Sequence, residues 1–165
     1  MLKKMKHYLK EIIFFVITMT LFANALSLYR SQDLSQSPLT VDSFKLINNQ
    51  EYQVVKNKPV LVHFWASWCP TCKLEASNIE FLSHYFEVIT IAVKSGSDEK
   101  LQKYLDENNY TFKVVNDKNG KLSSIFHISG FPTTFIYDKH KKLVFSEVGY
   151  TSTPGLYLRM LWAEK

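Results

Sequence analysis

Both cysteines of this 165-residue chain stand in one short motif, Cys69-Pro70-Thr71-Cys72, directly after an apolar run. That run, "PVLVHFWA" (59–66), is compact and rich in valine, which is typical of a strand buried on both faces. A helix is predicted to depart from Pro70. The sequence therefore predicts a buried strand that leads, through a short turn, to Cys69 at the N-terminus of a helix.

Predicted strands and helices alternate along the chain after residue 40. The strands are 59–66, 88–93 and 112–117, followed by an antiparallel hairpin within 133–148, and short strands are expected around an Asn-Asn turn within 41–55. Helices are predicted after Cys69, from Ser97, near 122–127 and from Thr153-Pro154. In the first of these helices, the apolar residues at helical spacing are Leu74, Ile79, Leu82 and Phe86. This pattern predicts an α/β domain with a mixed sheet, closed at one edge by a hairpin strand.

The positive charge of the chain is concentrated at its beginning. The formal net charge is +5, from 20 basic and 15 acidic residues. Five basic residues and only one acidic residue lie within the first thirty positions, which leaves 15 basic and 14 acidic residues, a net charge of +1, from position 31 onward. The domain after residue 30 is therefore nearly neutral, and a nucleic-acid-binding face is not expected.

The first thirty residues have the pattern of an export segment. The apolar stretch 12–29 follows a lysine cluster and reaches about 27 Å as a helix, close to the ~30 Å hydrocarbon core of a bilayer. The lysines predict a cytoplasmic N-terminus, with everything after Arg30 outside. A cleaved signal peptide is the alternative, because Ala23-Asn24-Ala25 has the small residues of a cleavage site. Apolarity that continues past this site favours an uncleaved anchor.

These patterns divide the chain into three parts. Residues 1–30 are predicted to be a signal-anchor, or transmembrane, segment, residues 31–40 a polar linker and residues 41–165 the folded domain. Both interpretations of the N-terminus place the domain outside the cytoplasm. The expected location is the inner membrane, as a single-pass protein with its domain in the periplasm.

Three kinds of site compete for the cysteine pair. A zinc site needs about four protein ligands, or three and water, but the chain has no second Cys-x-x-Cys and its five histidines are scattered. A purely structural disulfide would close a loop with only two intervening residues, and disulfide stabilisation is smallest for short loops. A redox-active pair fits better, because the amides and dipole of a helix N-terminus stabilise a thiolate. Cys69 is then the attacking thiolate and Cys72 the more buried, resolving thiol.

A wider resemblance covers residues 40–165. The stretch "VLVHFWASWCPTC", followed by Pro132 in "SGFPTTFIYD", resembles the thioredoxin fold, and more narrowly the membrane-tethered TlpA/ResA/CcmG-like thiol–disulfide oxidoreductases, including their copper-sensitivity-suppressor branch. The resemblance implies a central mixed sheet flanked by helices, preceded by a transmembrane helix. It further implies a cis proline at Pro132, packed against the cysteine pair. Substrate is expected to contact Trp68, Pro70, Thr71 and Phe131.

Two further residues are candidates on the strength of this resemblance. Glu75 matches the family's glutamate in Cys-x-x-Cys-x-x-Glu and is expected to modulate proton transfer, although a solvated acid on the helix surface is an equal alternative. His63 occupies the strand position where cytosolic thioredoxins carry a buried aspartate. There it is either a weak proton relay for Cys72 that titrates near neutral pH, or, as the favoured alternative, a core histidine with its hydrogen bonds satisfied.

The expected function is an extracytoplasmic thiol–disulfide oxidoreductase. The resemblance implies a reductase that takes electrons from a membrane-embedded donor, passes them to disulfides of exported proteins and is held in the cytoplasmic membrane by residues 12–29. It implies no cofactor and no resident metal. Two alternatives stay open. One is a thiol oxidase that introduces disulfides, and the other is a copper metallochaperone, since paired cysteines suit Cu(I).

Overall fold

The computed structural model describes residues 2–31, 34–35 and 37–165. A long helix comes first, then a two-stranded hairpin and an α/β unit. The elements in chain order are α1 (Leu2–Ser31), β1 (Ser43–Lys45), β2 (Glu51–Gln53), β3 (Val60–Trp65), α2 (Pro70–Ser83), β4 (Glu87–Val93), α3 (Asp98–Asn108), β5 (Lys113–Asp117), α4 (Lys121–Ile125), β6 (Thr133–Tyr137), β7 (Leu143–Val148) and α5 (Thr153–Ala163).

The main sheet has five strands in the order β5-β4-β3-β6-β7, and β1 pairs with β2 in a separate hairpin. The central strand β3 is parallel to β4 and antiparallel to β6, while β4 is parallel to β5 and β6 is antiparallel to β7. Every residue of β3 is buried, as its uninterrupted apolar sequence predicts for a strand covered on both faces. The predicted mixed α/β sheet with a hairpin at one edge is confirmed.

Helix α2 buries a different stripe from the one that the sequence predicts. Its buried residues are Cys72, Glu75, Ala76, Ile79 and Leu82. They recur every three or four positions from Cys72, so Leu74 falls on the opposite face, where 70% of it is exposed. The helix also ends at Ser83, before Phe86. The apolar spacing that includes Leu74 and Phe86 therefore does not mark the buried face of α2, and a glutamate takes an inward position instead.

The sheet carries a hydrophobic core on each face. One core, which contains both cysteines, includes residues of α2, α3 and α5, and the other includes residues of the N-terminal segment 34–52. Leu34 and Leu39 are buried in this second core, and the Leu39 amide donates to the Lys141 carbonyl at 3.0 Å. Packing thus extends into the segment 31–40 that was predicted as a linker. Residues 32, 33 and 36 of that segment lie outside the described residues.

Helix α1 contains the stretch 12–29 that was predicted as a membrane anchor. Its described side chains from residue 7 to residue 22 are all exposed to solvent. In the part of the chain that the structure describes, no helix combines the length and the apolarity that crossing a bilayer requires.

Candidate active site

The two cysteines lie where the central strand passes into helix α2. Cys69 is the N-cap residue of this helix, with extended backbone (φ −88°, ψ 115°), and Pro70 begins its first turn. Cys69 and Cys72 are joined in a disulfide with their Cα atoms 5.3 Å apart, and the Cys72 amide donates to Cys69 Sγ at 3.2 Å. The predicted position of Cys69 at a helix N-terminus is confirmed. A thiolate on Cys69 would accept the same amide hydrogen bond at the positive end of the helix dipole.

The two sulfur-bearing residues differ in exposure in the expected direction. Cys69 retains 6% of its accessible surface and Cys72 only 2%. The next residue in the turn, Pro70, is exposed and Thr71 is half-buried. An incoming substrate therefore meets Cys69 before Cys72, which fits the roles of attacking and resolving thiol.

Aromatic side chains form a wall beside the disulfide. Trp68 is 59% exposed and meets the Phe131 ring edge-on, with the ring centroids 5.6 Å apart. Phe131 also packs against the core cluster that contains Cys69 and Cys72. The Phe131–Pro132 peptide bond is cis, as the resemblance implies, and Pro132 is buried. The structure therefore brings the cis-proline loop, Trp68 and the cysteine pair into one site.

His63 is a buried residue of the central strand, on the sheet face that α2 covers. Its Nδ1 lies 2.9 Å from Oγ1 of Thr134, its register partner on β6. Burial lowers the pKa of His63 to about 3, because the protonated imidazole would lose its hydration. The ring is therefore neutral at physiological pH. Titration near neutral pH is not supported, and His63 has the surroundings of a hydrogen-bonded core histidine.

Glu75 is fully buried, so the alternative of a solvated surface acid is wrong. Its Oε1 accepts a hydrogen bond from the Thr151 amide at 3.2 Å, and its Oε2 has no hydrogen-bond partner among the described residues. The pKa of Glu75 is raised to about 8, mainly by burial; the hydrogen bond from the Thr151 amide opposes this rise and the negative charge of Glu147 adds to it. Near neutral pH this carboxyl group therefore holds its proton, one helical turn from Cys72.

A second carboxyl group, which sequence reasoning missed, lies beside Glu75. Glu147 on β7 accepts a hydrogen bond from Thr151 Oγ1 at 2.8 Å, and its other oxygen pairs with Arg159 of α5. Thr151 thus donates its amide to one carboxyl group and its hydroxyl to the other. Arg159 pairs with Glu147, whereas Glu75 has no cationic partner among the described residues.

One local signal was available for this group. Side chains alternate between the two faces of a strand, and Phe145, two residues before Glu147, packs against the core cluster that contains the cysteines. A glutamate two residues from an apolar inward position indicates a partly buried acid, and the Glu147 side chain retains 18% of its accessible surface. Its partner Glu75 lies 72 positions away in the chain, a distance that local patterns do not bridge.

The described residues contain no group of three or more His, Cys, Asp or Glu side chains with a geometry that suits a metal ion.

Comparisons with known proteins agree with this geometry. The model of the AhpC/TSA family matches residues 35–146. A thioredoxin-like protein of Haemophilus influenzae is 28% identical over 155 residues, which cover 88% of this chain and 92% of the relative. The thiol-disulfide oxidoreductase ResA of Oceanobacillus iheyensis is 30% identical over 86 residues, 49% of this chain but only 44% of ResA. An exposed lipoprotein thioredoxin of Streptococcus pneumoniae superposes with a TM-score of 0.65 at 21% identity, covering 73% of this chain and 97% of the other, which confirms the thioredoxin-like fold.

Proposed function

We propose that this chain, which belongs to the AhpC/TSA family, is a thiol–disulfide oxidoreductase that reduces disulfides in exported proteins. The observation that carries the proposal is Cys69 at the N-cap of α2, in a disulfide with Cys72 and beside an exposed tryptophan. A relative that aligns with about half of the chain is named a thiol-disulfide oxidoreductase, which supports this class of activity.

The reaction needs only the two thiols of the reduced protein. The Cys69 thiolate attacks one sulfur of a substrate disulfide, so that a mixed disulfide forms and the other substrate sulfur leaves as a thiolate. The Cys72 thiol then loses its proton and attacks Cys69 Sγ, which forms the Cys69–Cys72 disulfide and releases the second substrate thiolate. Two electrons pass from the pair to the substrate, and both substrate thiolates take up protons.

The proposed partner of Cys72 in proton exchange is Glu75. The two residues are neighbours on the buried stripe of α2, three positions apart. A pKa of about 8 brings the carboxyl group close to the ordinary thiol pKa of about 8.5, so a proton moves between them at little free-energy cost. In its ionised form, which is the minor form near neutral pH, Glu75 accepts the Cys72 proton during the resolving step, directly or through water, and it returns that proton when the pair is reduced again.

The domain is proposed to work outside the cytoplasm, attached to the cytoplasmic membrane through residues 12–29. Support comes from the sequence, in which a lysine cluster precedes an apolar stretch. Reduction in that compartment requires a supply of electrons, and the proposed donor is a membrane-embedded dithiol protein that reduces the Cys69–Cys72 disulfide by the reverse exchange.

The redox state of the cysteine pair in intact cells tests the direction of the reaction. Cells are quenched in acid, free thiols are alkylated with a reagent that shifts electrophoretic mobility, and the chain is detected by immunoblotting. Fully reduced and fully oxidised samples provide the reference positions. A pair that is mostly reduced supports the reductase. A mostly oxidised pair would instead show an oxidase that introduces disulfides.

A further inference from the structure

A groove of about 420 Å³ opens beside Trp68 on the side of helix α4. Its volume lies within the range of about 300–1,000 Å³ that is common for ligand sites. Apolar residues from three segments line it, namely Trp68, Val93, Ile128 and Phe131. Two of these, Trp68 and Phe131, also form the wall beside the disulfide, so a chain bound in the groove continues to Cys69.

One cation, Lys94, lies across this groove. Its backbone is in the left-handed region (φ 47°), its carbonyl accepts a hydrogen bond from Trp68 Nε1 at 3.2 Å, and its amide donates to the Asp117 carbonyl at 3.1 Å. Its side chain extends over Gly120 at the start of α4, where a Cβ atom would lie 3.1 Å from Lys94 Cε and 3.8 Å from Nζ. These two hydrogen bonds hold the backbone of Lys94 at the edge of the groove, and its side chain carries the ammonium group from there.

The charge in the groove has no acidic counterpart. Among the described residues that line it, none is acidic, and His127 is the only titratable one besides Lys94. The Asp117 carboxylate is buried and accepts hydrogen bonds from the amides of Leu122 and Ser123 at 3.1 and 2.8 Å. Lys94 itself makes no ion pair with any described residue. Its ammonium is available to an anion that enters the groove.

We propose that this groove binds an extended segment of the substrate protein next to its attacked cysteine, and that Lys94 selects segments that carry an acidic side chain. The inference rests on the proposed function and names the class of substrate. The apolar lining accommodates the backbone and any apolar side chain of the segment, and the ammonium pairs with an aspartate or glutamate. Because Lys94 is exposed, the preference expected from one such ion pair is about two- to fivefold.

Short peptide disulfides that carry a fluorophore and a quencher test this preference. The peptides are matched in length and differ only in glutamate, glutamine or lysine residues beside the cysteine. The reduced full-length chain is mixed with each peptide, and kcat/KM is taken from the rise in fluorescence. We expect glutamate peptides to react about two- to fivefold faster than glutamine peptides and lysine peptides to react slowest. The differences in kcat/KM between the peptides should decrease as salt is added, because salt screens the ion pair.

Charge reversal at one position assigns the preference to Lys94. Lys94→Glu should invert the order of the peptides, whereas Lys103→Glu, which makes the same charge change on the exposed face of α3, should leave it unchanged. Equal rates for all peptides with the native chain would overturn the charge preference and leave the reductase intact. Failure to reduce any of the peptides would contradict the reductase itself, and the inference would fall with it.

Discussion

Replacing Glu75 with glutamine removes a buried ionisable group while it preserves the size of the side chain. The folded pKa of Glu75 is raised from 4.5 to about 8 by burial. A folded state that holds a proton more tightly than the unfolded state is stabilised below the unfolded pKa and loses that stability as pH rises to the folded pKa. The native chain should therefore lose stability as pH rises from about 4.5 to 8. Glu75→Gln has no carboxyl group to ionise at this position, so the loss that comes from Glu75 should be absent in the variant.

The size of the effect follows from the same shift. One pKa unit corresponds to about 1.4 kcal/mol, so a shift from 4.5 to about 8 corresponds to about 5 kcal/mol over the whole interval and about 3 kcal/mol at pH 7. Glutamine retains an oxygen that accepts the Thr151 amide. Near pH 4 the free energies of unfolding of the variant and the native chain should differ only by a constant offset. By pH 7 the difference should have shifted by about 3 kcal/mol in favour of the variant.

Unfolding in urea, followed by tryptophan fluorescence on the oxidised full-length chain, gives this difference at each pH. His63, whose pKa is lowered by burial, makes the folded state less stable as pH falls below 6.5, but it does so in both proteins and cancels in the comparison. Glu107→Gln, on the exposed surface of α3, is the matched control and should show no gain in stability of this size by pH 7. Native and Glu75→Gln curves that run parallel from pH 4.5 to pH 8 would refute the buried, protonated carboxyl group.

Two further predictions concern the packing around the site. Ile79→Ala should lower the free energy of unfolding by about 2–5 kcal/mol, because it leaves a cavity on the buried stripe of α2. Leu74→Ala, on the exposed face, should change this free energy by less than about 0.5 kcal/mol. Equal losses for the two variants in urea denaturation would contradict the observed stripe. Thr134→Val should lower the free energy of unfolding by about 1–3 kcal/mol at pH 7, since the buried His63 Nδ1 loses its hydrogen-bond partner. A variant that is as stable as the native chain in urea denaturation would show that this hydrogen bond contributes nothing.

The sequence was sufficient for the parts of the fold that depend on local patterns. The valine-rich run 59–66 predicts a strand buried on both faces, and β3 occupies Val60–Trp65 with every residue buried. Capping chemistry likewise predicts the start of α3, where Ser97 accepts a hydrogen bond from the Lys100 amide at 3.3 Å. In each case the deciding interactions involve residues close together in the chain.

The candidate site was predictable only in its motifs. The apolar spacing of the sequence includes Leu74, whereas α2 buries the positions that continue from Cys72 and so includes Glu75. The hydrogen bonds that join Glu75 to Glu147 run through Thr151, which lies 76 positions from Glu75. Such contacts follow from the packing of α2 against α5 and the segment between β7 and α5, which depends on the whole fold rather than on any short segment.

The unequal roles of Cys69 and Cys72 are the central claim, and trapping of mixed disulfides tests them most directly. Cys72→Ser and Cys69→Ser variants are expressed in matched cells, quenched with acid and alkylated, and resolved by non-reducing electrophoresis. Cys72→Ser is expected to accumulate covalent adducts through Cys69, which disappear on reduction, and Cys69→Ser is expected to form few. Adducts that accumulate on Cys72 in the Cys69→Ser variant, and not on Cys69, would contradict this claim.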